Sequence, residues 1–289
     1  MTVTAGCAPR AARPGLGAPG CAPRRGTRTI AGTVPSRVLL DLYAVLLGLV
    51  IGSFLNVLVH RLPRGRSFVW PRSRCPWCGG AIAARDNLPL VSYLLLRGRC
   101  RHCSAPISPR YPLVEAATAG LFLACVERFG ASAQAAAAAV FCAFLIALAA
   151  TDFEQLLLPD GLTFPGMAAG LALQPWLPAT GVDAVIGMLG GAGLLFLIAE
   201  AWLWLRGEEG MGLGDAKLMA MVGAFLGWQG ALLALFFGVM SGAIVGVALL
   251  VAGRRGWRSR LPFGTFLALG ALAALFTGNG PLYRYLGLL

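Results

Sequence analysis

The chain has 289 residues, of which 57% are hydrophobic and 12% charged, and its formal net charge is +12. So little charge over so much apolar sequence excludes an ordinary soluble domain, because several uninterrupted apolar runs reach the roughly 20 residues a helix needs to cross a bilayer. Nucleic acid is excluded as the reason for the basic balance, since the arginines cluster between apolar runs as cytoplasmic juxtamembrane segments do.

Residues 1–36 are rich in Ala, Pro, Gly and Arg and contain no acid. Nothing there builds a core, so the stretch reads as a disordered basic tail, and it lacks the apolar segment of a signal peptide. Apolar runs follow at 38–59, 113–129, 133–151, 162–177, 182–205, 216–228, 229–253 and 261–278. They predict an all-α polytopic membrane protein with about eight transmembrane helices. The expected organisation is a first transmembrane helix at 37–59, a cytoplasmic loop at 60–112 and a transmembrane core at 113–289.

Charge sets the expected orientation. Ten arginines, from Arg61 to Arg110, face a single acid, Asp86, between the first two runs. Arg206 ends the fifth run, and Arg254, Arg255, Arg258 and Arg260 separate the seventh and eighth. Counting crossings puts all of these on one side, the cytoplasm, beside an anionic inner leaflet. The same count puts the arginines of the tail outside, against the rule.

The first run holds Gly52-Ser53-Phe54-Leu55-Asn56 and closes on His60-Arg61-Leu62-Pro63. Small residues and an Asn inside a membrane helix favour close packing and an interhelical hydrogen bond; substrate binding is the other reading. In the loop, Cys75-Pro-Trp-Cys78 and Cys100-Arg-His-Cys103 form two CxxC pairs separated by 21 residues. Four soft thiolates so spaced suit a closed tetrahedral zinc site, with a structural role and no open position for catalysis. A dithiol redox pair or plain buried cysteines are the alternatives, and a reducing compartment disfavours disulfides. Cys125 and Cys142 lie within apolar runs and read as small core residues. His102 is expected to face solvent between its cysteine neighbours.

Acids near a membrane core need a reason. Asp152 stands at the inner end of the third apolar run, where the helix dipole disfavours an anion, so it needs a compensating partner. Pro159-Asp160 reads as the start of the next helix, which makes Asp160 structural, and Glu154 is expected on the exposed loop. Asp183 and Glu127 lie near helix ends, Asp41 is interfacial, and Glu115 and Glu200 are more deeply placed candidates. Gly210-Met211-Gly212-Leu213-Gly214-Asp215-Ala216-Lys217 puts an acid and the only lysine of the chain two residues apart at the mouth of an apolar run. Its three glycines permit a bend and close backbone approach. The plain reading of Asp215 is a helix cap. By the crossing count, however, Asp152 and Asp215 share one face at one depth. Two carboxyl groups sharing a proton there can activate a water for attack on a peptide carbonyl. Two other classes stand beside this: a membrane metal transporter or sensor with a zinc-loaded loop, and a membrane thiol oxidoreductase.

With these motifs in chain order, joined by Asp86-Asn87-Leu88-Pro89 and Tyr111-Pro112-Leu113-Val114-Glu115, the sequence resembles the bacterial type IV prepilin peptidases, the leader peptidase/N-methyltransferases. The resemblance implies a polytopic inner-membrane aspartic protease of the GxGD type whose catalytic pair is Asp152 and Asp215, supported by Gly212, Gly214 and Lys217. It implies prepilin and type II secretion pseudopilin N-terminal helices as substrates, cleaved on the cytoplasmic side after a glycine. It further implies S-adenosylmethionine as methyl donor, with Glu115, Gly52 and Asn56 as candidate binding positions, and zinc on Cys75, Cys78, Cys100 and Cys103. Members without the cysteines exist, so zinc is not expected to be essential to proteolysis. Glu154 stands where relatives often carry Asp, and the tail is longer than the family needs.

Overall fold

The computed structural model describes residues 34–67, 73–207, 212–253 and 261–278. The expectations on residues 1–33, on Cys7 and Cys21, on Arg72, on Gly210 and Met211 and on the arginines at 254–260 lie outside the described residues. The helices are α1 (Val34–Arg61), α2 (Val91–Leu95), α3 (Arg110–Phe129), α4 (Ala133–Gln155), α5 (Asp160–Ala172), α6 (Gly181–Arg206), α7 (Leu213–Val251) and α8 (Phe263–Thr277). Among the described residues there is no strand, only two isolated bridges within the cysteine loop. The protein is an all-α polytopic membrane protein. Four described helical stretches, at Arg37–Arg64, Ala133–Gln155, Gly181–Arg206 and Leu213–Val251, are long and apolar enough to span a membrane.

The eight expected runs recur as eight helical segments because α7 contains two of them. Gly227 adopts φ 70, ψ −177 and breaks that helix between 226 and 228. This backbone region is essentially closed to residues with a Cβ. A Cβ there would also stand 3.0 Å from that of Ala179. The fourth run is shorter than expected. It ends at Ala172 and passes into a 3-10 turn at Gln174–Trp176, whose Gln174 Nε2 donates to the carbonyl of Ala224 at 2.6 Å.

Each spanning helix is apolar on all sides, so lipid and protein compete for every face and packing decides which face turns inward. The first half of α7 occupies the centre, with Leu218, Met219, Met221, Val222 and Phe225 fully buried. It meets Phe141, Leu145 and Leu148 of α4, and Phe141 and Phe225 stack with ring centroids 4.5 Å apart. Small residues allow the closest crossings. Gly187 of α6 lies against Gly223 of α7, and Gly270 of α8 against the backbone at Ala234 and Gly238 of α7. Cys125 and Cys142 are buried with their sulfurs 3.8 Å apart.

Cross-helix contacts gather several helix ends at one end of the bundle. Arg110 at the start of α3 pairs with Glu154 at the end of α4. Gln155 donates to the Val59 carbonyl of α1, Thr265 at the start of α8 reaches Asp152 of α4, and Lys217 of α7 pairs with Asp160 of α5.

Candidate active site and metal centre

Asp152 lies in the last turn of α4, 5% exposed. The compensating partner that its place at a helix C-terminus demands is the start of α8. The Thr265 N–H donates to Asp152 Oδ2 at 2.7 Å, and the Thr265 hydroxyl lies 3.1 Å from the same oxygen. The Gly264 N–H also acts on the carboxyl. The unpaired N–H groups and positive dipole end of α8 thus offset the adverse end of α4. Asp215 occupies the first turn of α7, 8% exposed, and the charge of Asp152 acts on it directly. Two acids 63 positions apart (215 − 152) thus border one corner of the bundle.

Leu158 packs into the same corner. A Cβ on Gly214 would stand 3.0 Å from Leu158 Cβ, and one on Gly264 would stand 3.0 Å from Leu158 Cδ1 and 3.1 Å from Asp152 Cγ. Gly214 thus serves close approach, as expected. Gly212 does not need the freedom of glycine, being the extended N-cap of α7 at φ −77, ψ 143. Lys217 turns from Asp215 towards Asp160, with Nζ 2.6 Å from Oδ1, and sits 5.4 Å from the centroid of the Phe164 ring. Glu154 is part of α4 and ion-paired to Arg110, not set on a free loop. Glu200, expected to be deeply placed, is exposed on α6, and Asp183 closes a capping box with Thr180 at the start of that helix.

Gly264 and Thr265 are absent from the sequence-based site. Pro262 before a Gly and a Thr reads as a helix start, but nothing in that pattern points to an acid 113 positions away.

The two CxxC pairs form matching turns. Cys75 N–H donates to Gly80 O and Gly79 N–H to Cys75 O, both at 2.9 Å; Cys100 and Ser104 repeat the pattern with Ala105 and Cys100. Gly79 and Ser104 take the left-handed conformation, at φ 66 and φ 58. Four sulfurs bound tetrahedrally at about 2.3 Å stand roughly 3.8 Å apart. Cys75 Sγ and Cys103 Sγ are 3.8 Å apart, and all four sulfurs lie within 4.8 Å of one another. Backbone N–H groups of Cys78 and Trp77 hold the Cys75 thiol down at about 7, and those of Cys103 and His102 lower Cys100. Both favour the thiolates that a metal requires. His102 is exposed and stands outside the sulfur cluster. A forked ion pair joins the second turn to the preceding segment, with Arg101 Nη2 2.6 Å from Asp86 Oδ1, and Arg101 holds Asp86 below the usual carboxylate range.

The three positions considered for the methyl donor form a seam between α1 and α3. A Cβ on Gly52 would stand 2.8 Å from Glu115 Cα and 3.1 Å from Thr118 Oγ1. Glu115 is buried and accepts the Leu90 N–H at 2.8 Å, with the Ser53 hydroxyl also on it. Asn56 donates to the Tyr111 carbonyl at 3.0 Å, and its buried Oδ1 has no hydrogen-bond partner among the described residues. Leu90, at φ 57, leads into α2, so the buried acid tethers the cysteine loop to the helices.

Comparison with known proteins follows the same division. Residues 46–129 match the profile of the bacterial peptidase A24 N-terminal domain, and residues 139–247 that of the type IV leader peptidase family. The chain is 43% identical over 273 residues to a prepilin leader peptidase/N-methyltransferase of Burkholderia pseudomallei (strain 1026b), covering 85% of this chain and 87% of the relative. It is 46% identical over 226 residues to one of Myxococcus xanthus (strain DK1622), covering 76% and 67%. It is 39% identical over 267 residues to one of Aeromonas hydrophila, covering 83% and 92%. No solved structure matches.

Proposed function

The chain belongs to the type IV leader peptidase family, and on that footing we propose that it is a membrane aspartic endopeptidase. It removes the basic leader from type IV prepilins and type II secretion pseudopilins and then methylates the new N-terminus. The observation that carries this reading is a shared corner holding two buried carboxyls, Asp152 beside Gly264 and Leu158, and Asp215 next to Gly214, which packs on the same Leu158.

The dyad works with one proton. The ionised carboxyl takes a proton from water as the water oxygen attacks the scissile carbonyl carbon. The protonated carboxyl donates to the carbonyl oxygen, and a proton then passes to the leaving amine as the C–N bond breaks. The Thr265 N–H at the start of α8 stabilises a negative charge on Asp152. A site at a helix end, beside lipid, suits a substrate whose apolar body is a membrane helix. The arginine-rich segment at 61–110 supports placing this end at the cytoplasmic face of the inner membrane, against anionic lipid.

Cys75, Cys78, Cys100 and Cys103 fit zinc, which would fold the loop as a clip with no vacant position for catalysis. S-adenosylmethionine would supply the methyl group. Gly52 and Glu115 do not fit as its site, because their space and hydrogen bonds are taken by α3 and Leu90. The metal-transporter reading requires acids strung along a path through the bilayer, whereas Asp152 and Asp215 gather at one end.

Mass spectrometry of a co-expressed prepilin tests the proposal by reading both the new N-terminus and any added methyl mass. The expected product lacks its leader and carries one methyl group. An uncleaved prepilin in the presence of well-inserted enzyme would refute the assignment.

A further inference from the structure

We infer that Thr265 is a positioning residue for the peptidase step, its hydroxyl changing partner as Asp152 loses and gains a proton. The inference rests on the dyad assigned above.

The Thr265 hydroxyl has one hydrogen and two acceptors within reach, Asp152 Oδ2 and the Ala149 carbonyl oxygen, each at 3.1 Å. It donates to one of them at a time. The backbone N–H of the same residue is fixed on Oδ2 at 2.7 Å and cannot turn away. With Asp152 ionised, the hydroxyl hydrogen points to Oδ2 and the carboxylate receives two donors from one residue, in the strong charge-assisted form. When Asp152 takes the proton of the attacking water, the hydroxyl swings to Ala149 O and its lone pairs face the now neutral carboxyl. No covalent bond changes at Thr265; the proton travels from water to Asp152 and on to the leaving amine. The carboxyl is thus held by both donors when ionised and by the fixed N–H when neutral.

The surroundings leave this task to Thr265. Asp215 on α7 is a titratable group on which the charge of Asp152 acts. Glu154 on α4 is bound to Arg110 of α3, and Lys217 on α7 to Asp160 of α5. Thr265 also lies beyond residues 139–247, the part of the chain that matches the peptidase profile.

The test uses the purified full-length enzyme with two substrates, an intact prepilin and a pilin whose leader has already been removed. Thr265→Val keeps the N–H and removes the hydroxyl; Thr265→Ser restores it. Losing a charge-assisted hydrogen bond should lower kcat for cleavage on the order of 10- to 100-fold, with KM and methylation of the pre-cut pilin changed by less than about twofold. Thr265→Ser should cleave within about threefold of wild type. Thr265→Ala serves in place of Thr265→Val if the latter does not insert. Full kcat in the variants lacking the hydroxyl, no rescue by serine, or a parallel fall in cleavage and methylation would overturn the inference. Asp152→Asn separates the two levels. If it is inactive while Thr265→Val is fully active, only the role of Thr265 falls; if it still cleaves, the dyad falls with it.

Discussion

Gly264→Ala probes the corner where the site is tightest. The new Cβ would stand 3.0 Å from Leu158 Cδ1, 3.1 Å from Asp152 Cγ and 3.1 Å from Asp152 Oδ2. Ordinary contact begins a few tenths of an ångström farther out, so something must move. Leu158 Cδ1 is the end of a flexible chain and can yield. Asp152 is held at 2.7 Å by the Thr265 N–H, so its displacement either stretches that bond or shifts the start of α8. Overpacking of this size costs about 1–3 kcal/mol. Because the reacting carboxyl itself is displaced, part of that cost should appear in the transition state, lowering kcat by roughly tenfold. Steady-state cleavage of a prepilin in detergent, with a thermal-shift measurement alongside, separates activity from stability. Wild-type kcat with an unchanged melting temperature would refute the claim that α8 abuts the reacting carboxyl.

Three further outcomes are expected. The purified protein should hold one zinc per chain by elemental analysis, and Cys75→Ser with Cys100→Ser should abolish binding and open the arginine-rich loop to trypsin while cleavage survives. Lys217→Met removes an ion pair whose side chains are 33% and 58% exposed, worth about 0–1 kcal/mol. Cleavage should fall by no more than about fivefold, and a loss as deep as that of an Asp215 variant would show that the lysine acts on the dyad. The rate of cleavage should fall at both pH extremes, at low pH as both carboxyls hold protons and at high pH as neither does; a flat profile would contradict a shared proton.

The helical segments were legible because each apolar run marks one, though only four described stretches are long and apolar enough to span a bilayer, and the glycine that divides α7 falls beside the break expected between residues 228 and 229. The cysteine turns were legible because their spacing carries the geometry of a tetrahedral site. Crossing parity was enough to give Asp152 and Asp215 a common end. Helix rotation was not legible. With every face of α6 apolar, nothing in the sequence said that Glu200 would point outward, since no polar stripe fixes the inward face. Long-range polar partners were hidden for the same reason. Asp160 beside Lys217, Leu90 N–H on Glu115 and Thr265 on Asp152 join residues that no local pattern pairs. The last of these escaped notice because its strongest donor is a backbone N–H, which every residue but proline carries.

The most direct test of the central claim compares Asp152→Asn, Asp215→Asn and the double variant in single-turnover cleavage of a prepilin, with methylation of a pre-cut pilin as the control for folding. If two carboxyls act as one unit, each single variant should be as inactive as the double, and methylation should persist in all three. Substantial cleavage by either single variant, or losses that simply add, would contradict it.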